Sequence, residues 1–563
     1  MPKDRIYSFD VFDTCLVRKC GAPENLFDVL SLRVFNGDVE ETVRQEFVAA
    51  RYLAQQSVQS ASMTLKDIWN AFSWVHPQLK SKTELCRLEQ ETEREMLAPV
   101  LKMLDKVNEC RQKGHRIVFI SDMYLSSVFI SEVLQGFGFM HDGDGVYVSC
   151  ECGAEKNDGS LFSYVREKEK ASYSRWHHYG DNKQSDYIVP RKLGIHCKLI
   201  NLGYTPYQQR WRDNDYSLGF KYNSILAGIG RALRYSTEWT THTDFVLDLI
   251  APFYCSMVYR MMHDAERRGI KRLYFCARDA YMMYLIAERY KLLFPSIDCV
   301  FLYISRKALY EGDDEAKVAY YESIGLATKD DYVGLVDIRS SGRTLEYLNS
   351  FLKEKGFKSV RGYYYELFCT AADICNVYNP TDYYTELSDR YAVSQSQILG
   401  NHARVFETLF PLNLLAKTID YAFCSDGIKP VFEEEGENCE IDEDKVFVKD
   451  KEYWAGIHEE LILLYTESYL RNGLARYSNE VFLLSNLALY KFFCAPNKVY
   501  LLALKDLYGM KKANYLPFVK KESWARILRT RGKDSMWKEG TITLSGFRWF
   551  QIIYRKIRYG HTT

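Results

Sequence analysis

Short apolar runs alternate with helix-forming segments over about residues 1–204, and this alternation constrains the fold more than any other feature of the sequence. Strands separated by helices are typical of a parallel sheet whose faces are covered by helices. The stretch 23–110 is almost wholly helical in pattern and follows the first strand, so we expect a helical cap outside a Rossmann-like sheet. The predicted strands are 5–11, 116–120, 145–149, 176–179 and 197–201.

A second alternating series begins after a connection over about 205–240 and predicts a second α/β domain over 241–400. The remaining residues, 401–563, are mostly helical in pattern. The sequence therefore predicts an α/β protein with two parallel sheets and a helical C-terminal region. The strands predicted for the second domain are 272–276, 298–304, 332–337 and 360–368.

Composition bears on the compartment and on the partners. The 74 Lys and Arg residues balance 74 Asp and Glu residues, which excludes the basic excess of a general nucleic-acid binder. The 15 cysteines form no Cys-x-x-Cys pair and no signal-peptide pattern follows Met1, so we expect reduced thiols in a cytoplasmic protein. The apolar stretch 245–262 contains Asp248, Pro252 and Arg260, which predicts a buried helix and not a membrane span.

Polar clusters follow four of the predicted strands in the first domain. Ligands of an open parallel sheet bind at the carboxyl ends of its strands, so these clusters are expected to meet at one site. A carboxylate can attack phosphorus, a hydroxyl and a lysine can hold phosphate oxygens, and further carboxylates can hold Mg²⁺. The clusters are Asp10 to Thr14, Ser121 with Asp122, Lys156, and Asp181 to Asp186.

In this order the four clusters resemble the motifs of the haloacid dehalogenase superfamily, and the resemblance covers about residues 1–202. It implies that Asp10 is the nucleophile and a Mg²⁺ ligand and that the Val11 carbonyl is the second protein ligand. Asp181, together with Asp186, would complete the metal site.

The same resemblance implies that Ser121 and Lys156 hold the phosphoryl group. The helical block at 23–110 corresponds to a cap inserted after the first motif. Caps of this kind select small substrates and exclude water, so a small phosphate ester is expected rather than a phosphoprotein.

The sequence departs from the family pattern two residues after the nucleophile. That position usually carries a second Asp, which is the general acid/base, whereas here it is Phe12, which cannot transfer a proton. Asp13 follows directly. Either Asp13 takes the role through a different turn, or water does, or the domain is a slow or degenerate phosphatase; Asp13 can equally be a turn or cap residue.

A second anion-binding pattern lies in the second domain. The strand 332–337 runs into a Ser/Gly/Thr loop that opens a helix near Leu345, and such a loop can cradle a phosphate. Two further strand ends in the same domain are also polar. The candidate binding residues are Asp337, Ser340, Ser341, Gly342, Arg343 and Thr344, with Arg278, Asp279 and Arg306 at the other two strand ends.

This loop resembles the pyrophosphate-sugar loop of type I phosphoribosyltransferases, with Asp337 as the acid that would hold ribose hydroxyls. It lacks the second acid of that loop and is one residue shorter. The alternative interpretation is a Rossmann-like scaffold with a tight Ser/Gly turn. Residues 406–411 are a candidate acceptor loop, although a buried structural Glu407 explains them at least as well.

Together the two halves resemble bifunctional bacterial enzymes of surface-polysaccharide assembly. The resemblance implies transfer of ribofuranose 5-phosphate from phosphoribosyl pyrophosphate to a glycan acceptor, expected to be lipid-linked, and then removal of the 5-phosphate. Two alternatives stay open: a phosphatase of sugar phosphates or nucleotides with a non-catalytic second domain, and a non-catalytic interaction protein of a glycan-synthesis cluster.

The C-terminal tail bears on membrane contact. From residue 518 onward it contains eleven Lys and Arg residues against three Asp and Glu residues. Such a basic, aromatic tail could rest on an anionic inner membrane surface, although a solvated helical face is the commoner explanation. Its aromatic residues include Trp524, Trp537, Trp549 and Tyr554.

The first prediction concerns Asp10. Asp10→Asn keeps the shape of the side chain but removes the charge of the nucleophile, so the turnover of a sugar phosphate should fall by several orders of magnitude. Phosphate release by the purified, folded variant measures the effect. Retained activity would contradict the assignment of the nucleophile.

Overall fold

A computed structural model describes the two units into which the chain divides, residues 1–239 with 468–474, and residues 240–467 with 475–563. The residues that it describes are 5–36, 39–212, 222–238, 240–340, 342–367, 383–385, 414–433, 446–448, 451–494, 496–504, 507–511, 514–517, 519–530, 535, 537–546, 549 and 553.

A five-stranded parallel sheet forms the centre of the first unit, with strand order β5-β4-β1-β6-β7. Each predicted strand of the first domain is present, and the predicted α/β architecture is confirmed. The strands of this unit are β1 (Ile6–Phe9), β2 (Leu16–Arg18), β3 (Leu97–Pro99), β4 (Arg116–Ser121), β5 (Gly145–Val148), β6 (Trp176–Gly180) and β7 (His196–Leu199).

Helices cover this sheet and build the cap. They are α1 (Asn25–Val34), α2 (Glu41–Ser57), α3 (Leu65–Ala71), α4 (Lys82–Met96), α5 (Leu101–Gln112), α6 (Ser127–Gly136), α7 (Ser149–Cys152), α8 (Ser160–Glu169), α9 (Val189–Lys192), α10 (Pro206–Arg212) and α11 (Asn223–Ser236). A 3₁₀ turn, Tyr173–Arg175, and a π-helical segment, Lys183–Ile188, precede β6 and α9.

The cap is joined to the sheet by an antiparallel pair of short strands. The chain leaves the sheet along β2 and returns along β3, with Leu16 opposite Pro99 and Arg18 opposite Leu97. Helices α1 to α4 lie between these two strands in the chain. The predicted cap range extended to residue 110, but α5 follows β3 and packs against β4. Helix α11, from the predicted connection, packs against β2, β3 and α5.

Buried ion pairs tie the cap together. The Arg51 guanidinium on α2 donates to both carboxylate oxygens of Glu89 on α4, at 2.8 and 2.6 Å, and both side chains are almost wholly removed from solvent. The Arg51 guanidinium also lies over the ring of Phe27 at 4.5 Å, and the Tyr124 hydroxyl donates to Glu89 at 3.1 Å. This network joins two cap helices to the loop that follows β4.

A second parallel sheet, with strand order β12-β11-β10-β8-β9, forms the centre of the second unit. Its four longer strands overlap the four predicted strands. They are β8 (Arg272–Cys276), β9 (Asp298–Leu302), β10 (Val333–Ser340) and β11 (Arg361–Leu367), and the fifth strand is β12 (Tyr383–Thr385). Strand β10 continues three residues beyond its predicted end, so Ser340 of the predicted loop is the last residue of this strand.

The apolar stretch 245–262, which was predicted to be a buried helix, is helical and buried in the structure. His242–Arg267 is the helix, within the described part of the chain, that is long and apolar enough to cross a membrane, and 89% of its most apolar window is buried inside the protein. The helices along this sheet are α12 (Thr241–Phe245), α13 (Ala251–Arg267), α14 (Tyr281–Tyr290), α15 (Arg306–Glu311), α16 (Asp314–Ser323) and α17 (Arg343–Glu354), with a π-helical segment, Val246–Ile250, between α12 and α13.

The C-terminal region is helical, as predicted, but it also contains antiparallel strands that we did not predict. Its helices are α18 (Lys451–Arg471), α19 (Ser478–Cys494), α20 (Lys498–Ala503), α21 (Trp524–Thr530) and α22 (Lys538–Leu544), with a 3₁₀ turn at Leu474–Tyr477. Its strands are β13 (Thr418–Cys424), β14 (Gly427–Phe432), β15 (Val446–Val448), β16 (Leu507–Lys511) and β17 (Asn514–Pro517).

The aromatic residues predicted for the tail are not all at the surface. Trp524 and Trp549 are exposed and lie against each other, with ring centroids 5.7 Å apart. Trp537 is buried and packs against Phe492, so it cannot contribute to a membrane-facing surface. Tyr554 lies outside the described residues, as does the candidate acceptor loop 406–411.

The buried pair of the cap gives the second prediction. Arg51→Met leaves the Glu89 carboxylate buried without its partner, so the free energy of unfolding of this unit should fall by about 3–5 kcal/mol. Urea denaturation measures the change. In the matched control Arg87→Met, the lost pair with Glu91 is solvent-exposed, and the decrease should stay below about 1 kcal/mol. Equal effects of the two substitutions would contradict the role of the buried pair.

Candidate active site

Asp10 lies at the carboxyl end of β1, in the middle of the first sheet. Its backbone N–H donates to the Tyr179 carbonyl at 2.8 Å, which continues the pairing of β1 with β6. The side chain is buried, and its Oδ2 accepts a hydrogen bond from the Thr14 hydroxyl at 3.3 Å. The nucleophile predicted from the sequence is therefore held from two sides.

The ammonium group of Lys156 joins two carboxylates of this site. It donates to Asp10 Oδ1 at 2.5 Å and to Asp186 Oδ1 at 2.7 Å, and all three side chains are buried. The backbone N–H of Lys156 donates to both carboxylate oxygens of Asp122, at 3.0 and 3.1 Å, which fixes the loop after β5. Burial disfavours the charged lysine, but Asp10 and Asp186 outweigh burial and raise the pKa of Lys156.

Asp186 is oriented by a chain of buried hydrogen bonds. The Trp176 indole N–H donates to Ser8 Oγ at 2.7 Å, and Ser8 Oγ lies 2.7 Å from His178 Nδ1. Because the Asp186 carboxylate can only accept, His178 Nε2–H donates to Asp186 Oδ1 at 3.2 Å. Burial lowers the pKa of His178 and favours the neutral ring, so Nδ1 accepts from the Ser8 hydroxyl. The Asn182 backbone N–H donates to Asp186 Oδ2 at 3.0 Å.

These contacts decide the charge of Asp186. Burial alone would raise its pKa, but the Lys156 ammonium and the hydrogen bond from His178 hold the pKa of Asp186 well below its usual range. Both of its oxygens are thus used within the protein. Asp186 therefore contacts the Lys156 ammonium in the buried interior, next to Asp10.

The carboxylates of Asp10, Asp181 and Asp186 offer oxygens that lie within 4.8 Å of one another. Burial and the neighbouring Asp13 and Asp186 raise the pKa of Asp181 to about 6. Burial also raises the pKa of Asp10, although Lys156 opposes the shift. A hard cation such as Mg²⁺ prefers negatively charged carboxylate oxygens as ligands. A cluster of three carboxylates therefore fits the predicted cofactor.

The carbonyl of Val11 does not fit the ligand role that we predicted. It accepts the backbone N–H groups of Cys15, at 3.0 Å, and Leu16, at 2.8 Å. These bonds close the turn after β1, and they occupy both lone pairs of the oxygen. Asp10 and Asp181, with Asp186, are the candidate ligands that remain.

The residues after Val11 form an unusual turn. The ring of Phe12 lies beneath the Arg18 guanidinium, 4.3 Å from the ring centroid. Asp13 has a left-handed backbone conformation, with φ of 53°, and its Oδ1 forms an ion pair at 2.7 Å with Arg231 of α11. Asp13 lies near Asp181. The carboxylate of Asp13 is paired with Arg231, a residue that the sequence pattern did not indicate.

A cavity of about 670 Å³ opens over these residues, between the sheet and the cap. Ser121, at the end of β4, lines it together with Lys156. A cavity of this size, closed on one side by a cap, accommodates a small ester and not a folded protein. Its lining includes Asp10, Phe12, Asp13, Asp181 and Asp186 from the core, and Phe27, Tyr52, Gln55, Met63 and Glu93 from the cap.

In the second unit, the structure brings two of the predicted acids together. Asp337 lies in β10, and Asp279 follows the neighbouring strand β8. Burial is the main cause that raises the pKa of Tyr254 and the pKa of Cys276. The negative charges of Asp279 and Asp337 raise both pKa values further. The two carboxylates therefore lie near the same buried hydroxyl and thiol.

The other predicted residues of that site are more dispersed. Ser340 Oγ accepts the backbone N–H of Gly342 at 3.1 Å, so this N–H closes the turn instead of pointing at a ligand. Gly342 has φ of +81° and precedes α17, whose first residues are Arg343 and Thr344. Arg278 precedes Asp279, Arg306 is the first residue of α15 after β9, and Ser341 lies outside the described residues.

No protein-family model and no curated protein matches the sequence. The chain is similar to the HAD-hydrolase YfnB from Bacillus subtilis bound to magnesium, at 16% identity, covering 36% of this chain and 89% of that one with a TM-score of 0.26. The chain is also similar to a HAD family enzyme from Bacteroides thetaiotaomicron in complex with magnesium and inorganic phosphate. The identity is 13%, the match covers 36% of this chain and 97% of that one, and the TM-score is 0.26. For a 2-haloacid dehalogenase from Pseudomonas syringae pv. Tomato DC3000, the identity is 16%, the match covers 35% of this chain and 87% of that one, and the TM-score is 0.26. The similarity concerns about a third of the chain.

The acidic cluster gives the third prediction. Asp181→Asn removes one charge from the ligand set, so the Mg²⁺ concentration at half-saturation should rise at least about 10-fold. Isothermal titration with MgCl₂ measures the affinity without a substrate. The control Asp105→Asn removes an exposed carboxylate from α5 and should leave the affinity as it is. Unchanged Mg²⁺ binding by Asp181→Asn would exclude Asp181 as a ligand.

Proposed function

We propose that the first unit hydrolyses a small phosphate ester, with Mg²⁺ as cofactor and Asp10 as nucleophile. One observation carries the proposal: the Lys156 ammonium holds the Asp10 carboxylate in the wall of the capped cavity, beside Asp181 and Asp186. Phosphoryl transfer to a carboxylate requires a fixed nucleophile next to positive charge, and this arrangement supplies both.

The residues of the cavity suit the two steps of this reaction. The Asp10 carboxylate attacks phosphorus and expels the alcohol, and water then hydrolyses the phosphoaspartyl group. Lys156 and Ser121 would bind the phosphoryl oxygens, and the charge of Lys156 opposes the burial that raises the pKa of the Asp10 carboxyl. Mg²⁺, when bound by Asp10 and Asp181, would neutralise charge on the phosphoryl group.

The direct test is phosphate release from a panel of sugar phosphates and nucleotides by the purified protein. Activity should require Mg²⁺, should disappear with EDTA and should return when Mg²⁺ is added in excess. Absence of phosphate release from every ester in the panel, with Mg²⁺ present, would refute the proposal and favour the interaction protein.

We further propose that the second unit transfers ribofuranose 5-phosphate from phosphoribosyl pyrophosphate to a glycan hydroxyl, and that the first unit removes the 5-phosphate. The position of Asp337 in β10, beside the end of the neighbouring strand β8 that Asp279 follows, favours this candidate, because paired carboxylates can hold ribose hydroxyls or a cation on pyrophosphate. The acceptor in this proposal is a lipid-linked glycan at the cytoplasmic face of the membrane.

The two-step candidate gives the fourth prediction. If hydrolysis follows transfer, Asp10→Asn should still transfer but stop at a phosphorylated product. This product is heavier than the acceptor by one pentose and one phosphate. Asp337→Ala should add no pentose and still hydrolyse simple sugar phosphates. Mass spectrometry of acceptor incubated with phosphoribosyl pyrophosphate and Mg²⁺ distinguishes the two products.

The same experiment separates the candidates. If no acceptor yields a phosphopentosyl product with Asp10→Asn while the wild type hydrolyses sugar phosphates, the two-step candidate fails. The single-activity phosphatase then takes its place. The hydrolase proposal does not depend on the outcome of the transfer assay.

A further inference from the structure

The reaction proposed for the first unit needs a proton donor, but Phe12 stands where the usual motif has one, and Asp13, the next residue, is paired with Arg231. An alcohol leaves phosphorus readily only when its oxygen is protonated, and the attacking water of the second step must lose a proton. Phe12 cannot do either. A group that replaces the missing acid must face the same cavity, carry a transferable proton and lie close to Phe12.

Glu93 of cap helix α4 meets these conditions. It lines the cavity together with Asp10, Phe12 and Asp13, although its side chain is only 1% exposed. Its Oε1 accepts a hydrogen bond from Arg18 Nε at 2.7 Å. Among the described residues, no group hydrogen-bonds to its Oε2.

The position of Glu93 relative to Phe12 follows from Arg18. The Arg18 guanidinium lies 4.3 Å from the centre of the Phe12 ring and at the same time bonds to Glu93. The carboxyl group is therefore one side chain away from the place where the acid of the usual motif would be. Oε2 is a buried polar atom without a partner in a residue that lines the cavity, and such an atom calls for a hydrogen-bond partner that the described protein groups do not supply.

Glu89, one turn earlier on α4, shows what is particular to Glu93. It is equally buried and equally paired with an arginine, but both of its oxygens bond to Arg51 and one also accepts from Tyr124. Glu89 does not line the cavity. The two glutamates differ in the free oxygen and in the access to the site.

The charges around Glu93 leave it able to hold a proton. Burial raises the pKa of Glu93, and the opposing effect of Arg18 does not restore it to the usual value. Nearby acids raise it further. The titratable and charged groups that face it are Arg18 and Cys20 at the end of β2, Asp13 in the turn, Glu89 on its own helix and Tyr124 after β4.

We propose that Glu93 is the general acid and base of the hydrolase, replacing the Asp that Phe12 displaces. This inference rests on the proposed function. In the first step, Asp10 forms a bond to phosphorus while the ester P–O bond breaks, and the proton on Glu93 Oε2 passes to the departing alkoxide. In the second, the Glu93 carboxylate takes a proton from water, whose oxygen bonds to phosphorus as the bond to Asp10 breaks. Phosphate, Asp10 and protonated Glu93 result.

The fifth prediction compares two leaving groups. With ribose 5-phosphate, whose alkoxide needs a proton, Glu93→Gln should lower kcat/KM by about 10²- to 10⁴-fold. With p-nitrophenyl phosphate, whose phenolate leaves unprotonated, kcat/KM should change by less than about tenfold. Because the second step lacks its base, this variant should release a burst of one p-nitrophenol per site and then turn over slowly.

Glu89→Gln is the matched control, and it should change kcat/KM for the two esters by the same factor and give no burst. Glu93→Asp should recover part of the loss on ribose 5-phosphate. If Glu93→Gln does not fold because Arg18 is left unpaired, the double variant Arg18→Met/Glu93→Gln removes both charges. Arg18→Met then serves as its control.

Equal losses on both esters without a burst would overturn the proposal and leave Glu93 as the partner that positions Arg18. A selective loss in Asp13→Asn that Glu93→Gln lacks would overturn it in favour of Asp13. A wild type that hydrolyses no ester of the panel, these two included, with Mg²⁺ present would refute the hydrolase itself, and the inference with it. The two failures are distinguishable because the second requires an inactive wild type.

Discussion

The burial of the Lys156 ammonium is the constraint on which the first unit depends. A charge removed from water is stable only when opposite charges contact it, and Asp10 and Asp186 both do so. The three residues lie beyond the carboxyl ends of three strands: Asp10 directly after β1, Lys156 after β5 and α7, and Asp186 in the π-helical segment after β6. The sheet order and register that bring these ends together are therefore also the conditions under which the lysine can be buried.

Hydrogen bonds also connect the site to the interior of the sheet. The hydrogen bonds from Trp176 through Ser8 and His178 to Asp186 run from within the two adjacent strands to the carboxylate at their end. A substitution of the indole or the hydroxyl would act on the site although neither lines the cavity. This coupling makes the orientation of the Asp186 carboxylate a property of the packed core as much as of the loops.

The strands and the first site were largely predictable because both depend on local sequence. Apolar runs gave the strands, and polar residues at their ends gave Asp10, Ser121, Lys156 and Asp181. The two backbone hydrogen bonds that the Val11 carbonyl accepts were not predictable, because they depend on how the following turn closes. The pairing of Asp13 with Arg231 joins residues far apart in the chain, and no local pattern carries such information.

Of two further features that the sequence analysis missed, the β13–β14 hairpin had a recognisable sequence pattern and Glu93 did not. The hairpin of β13 and β14 turns at Ser425 and Asp426 and continues at Gly427, whose φ is +125°. Asp-Gly between two apolar runs is a strong hairpin signal, and the helical pattern around it concealed it. Glu93 had none, since charged residues abound on α4 and only the tertiary structure shows which of them is buried against the cavity.

The strand pair β2–β3 has a mechanical consequence. Arg18 is the last residue of β2 and pairs with Leu97, which directly follows α4. Any pivoting of the cap about this two-stranded ribbon would carry Arg18 and Glu93 as one body, while Asp10 stays with the sheet. Such a movement would open the cavity and at the same time change the separation between Glu93 and Asp10.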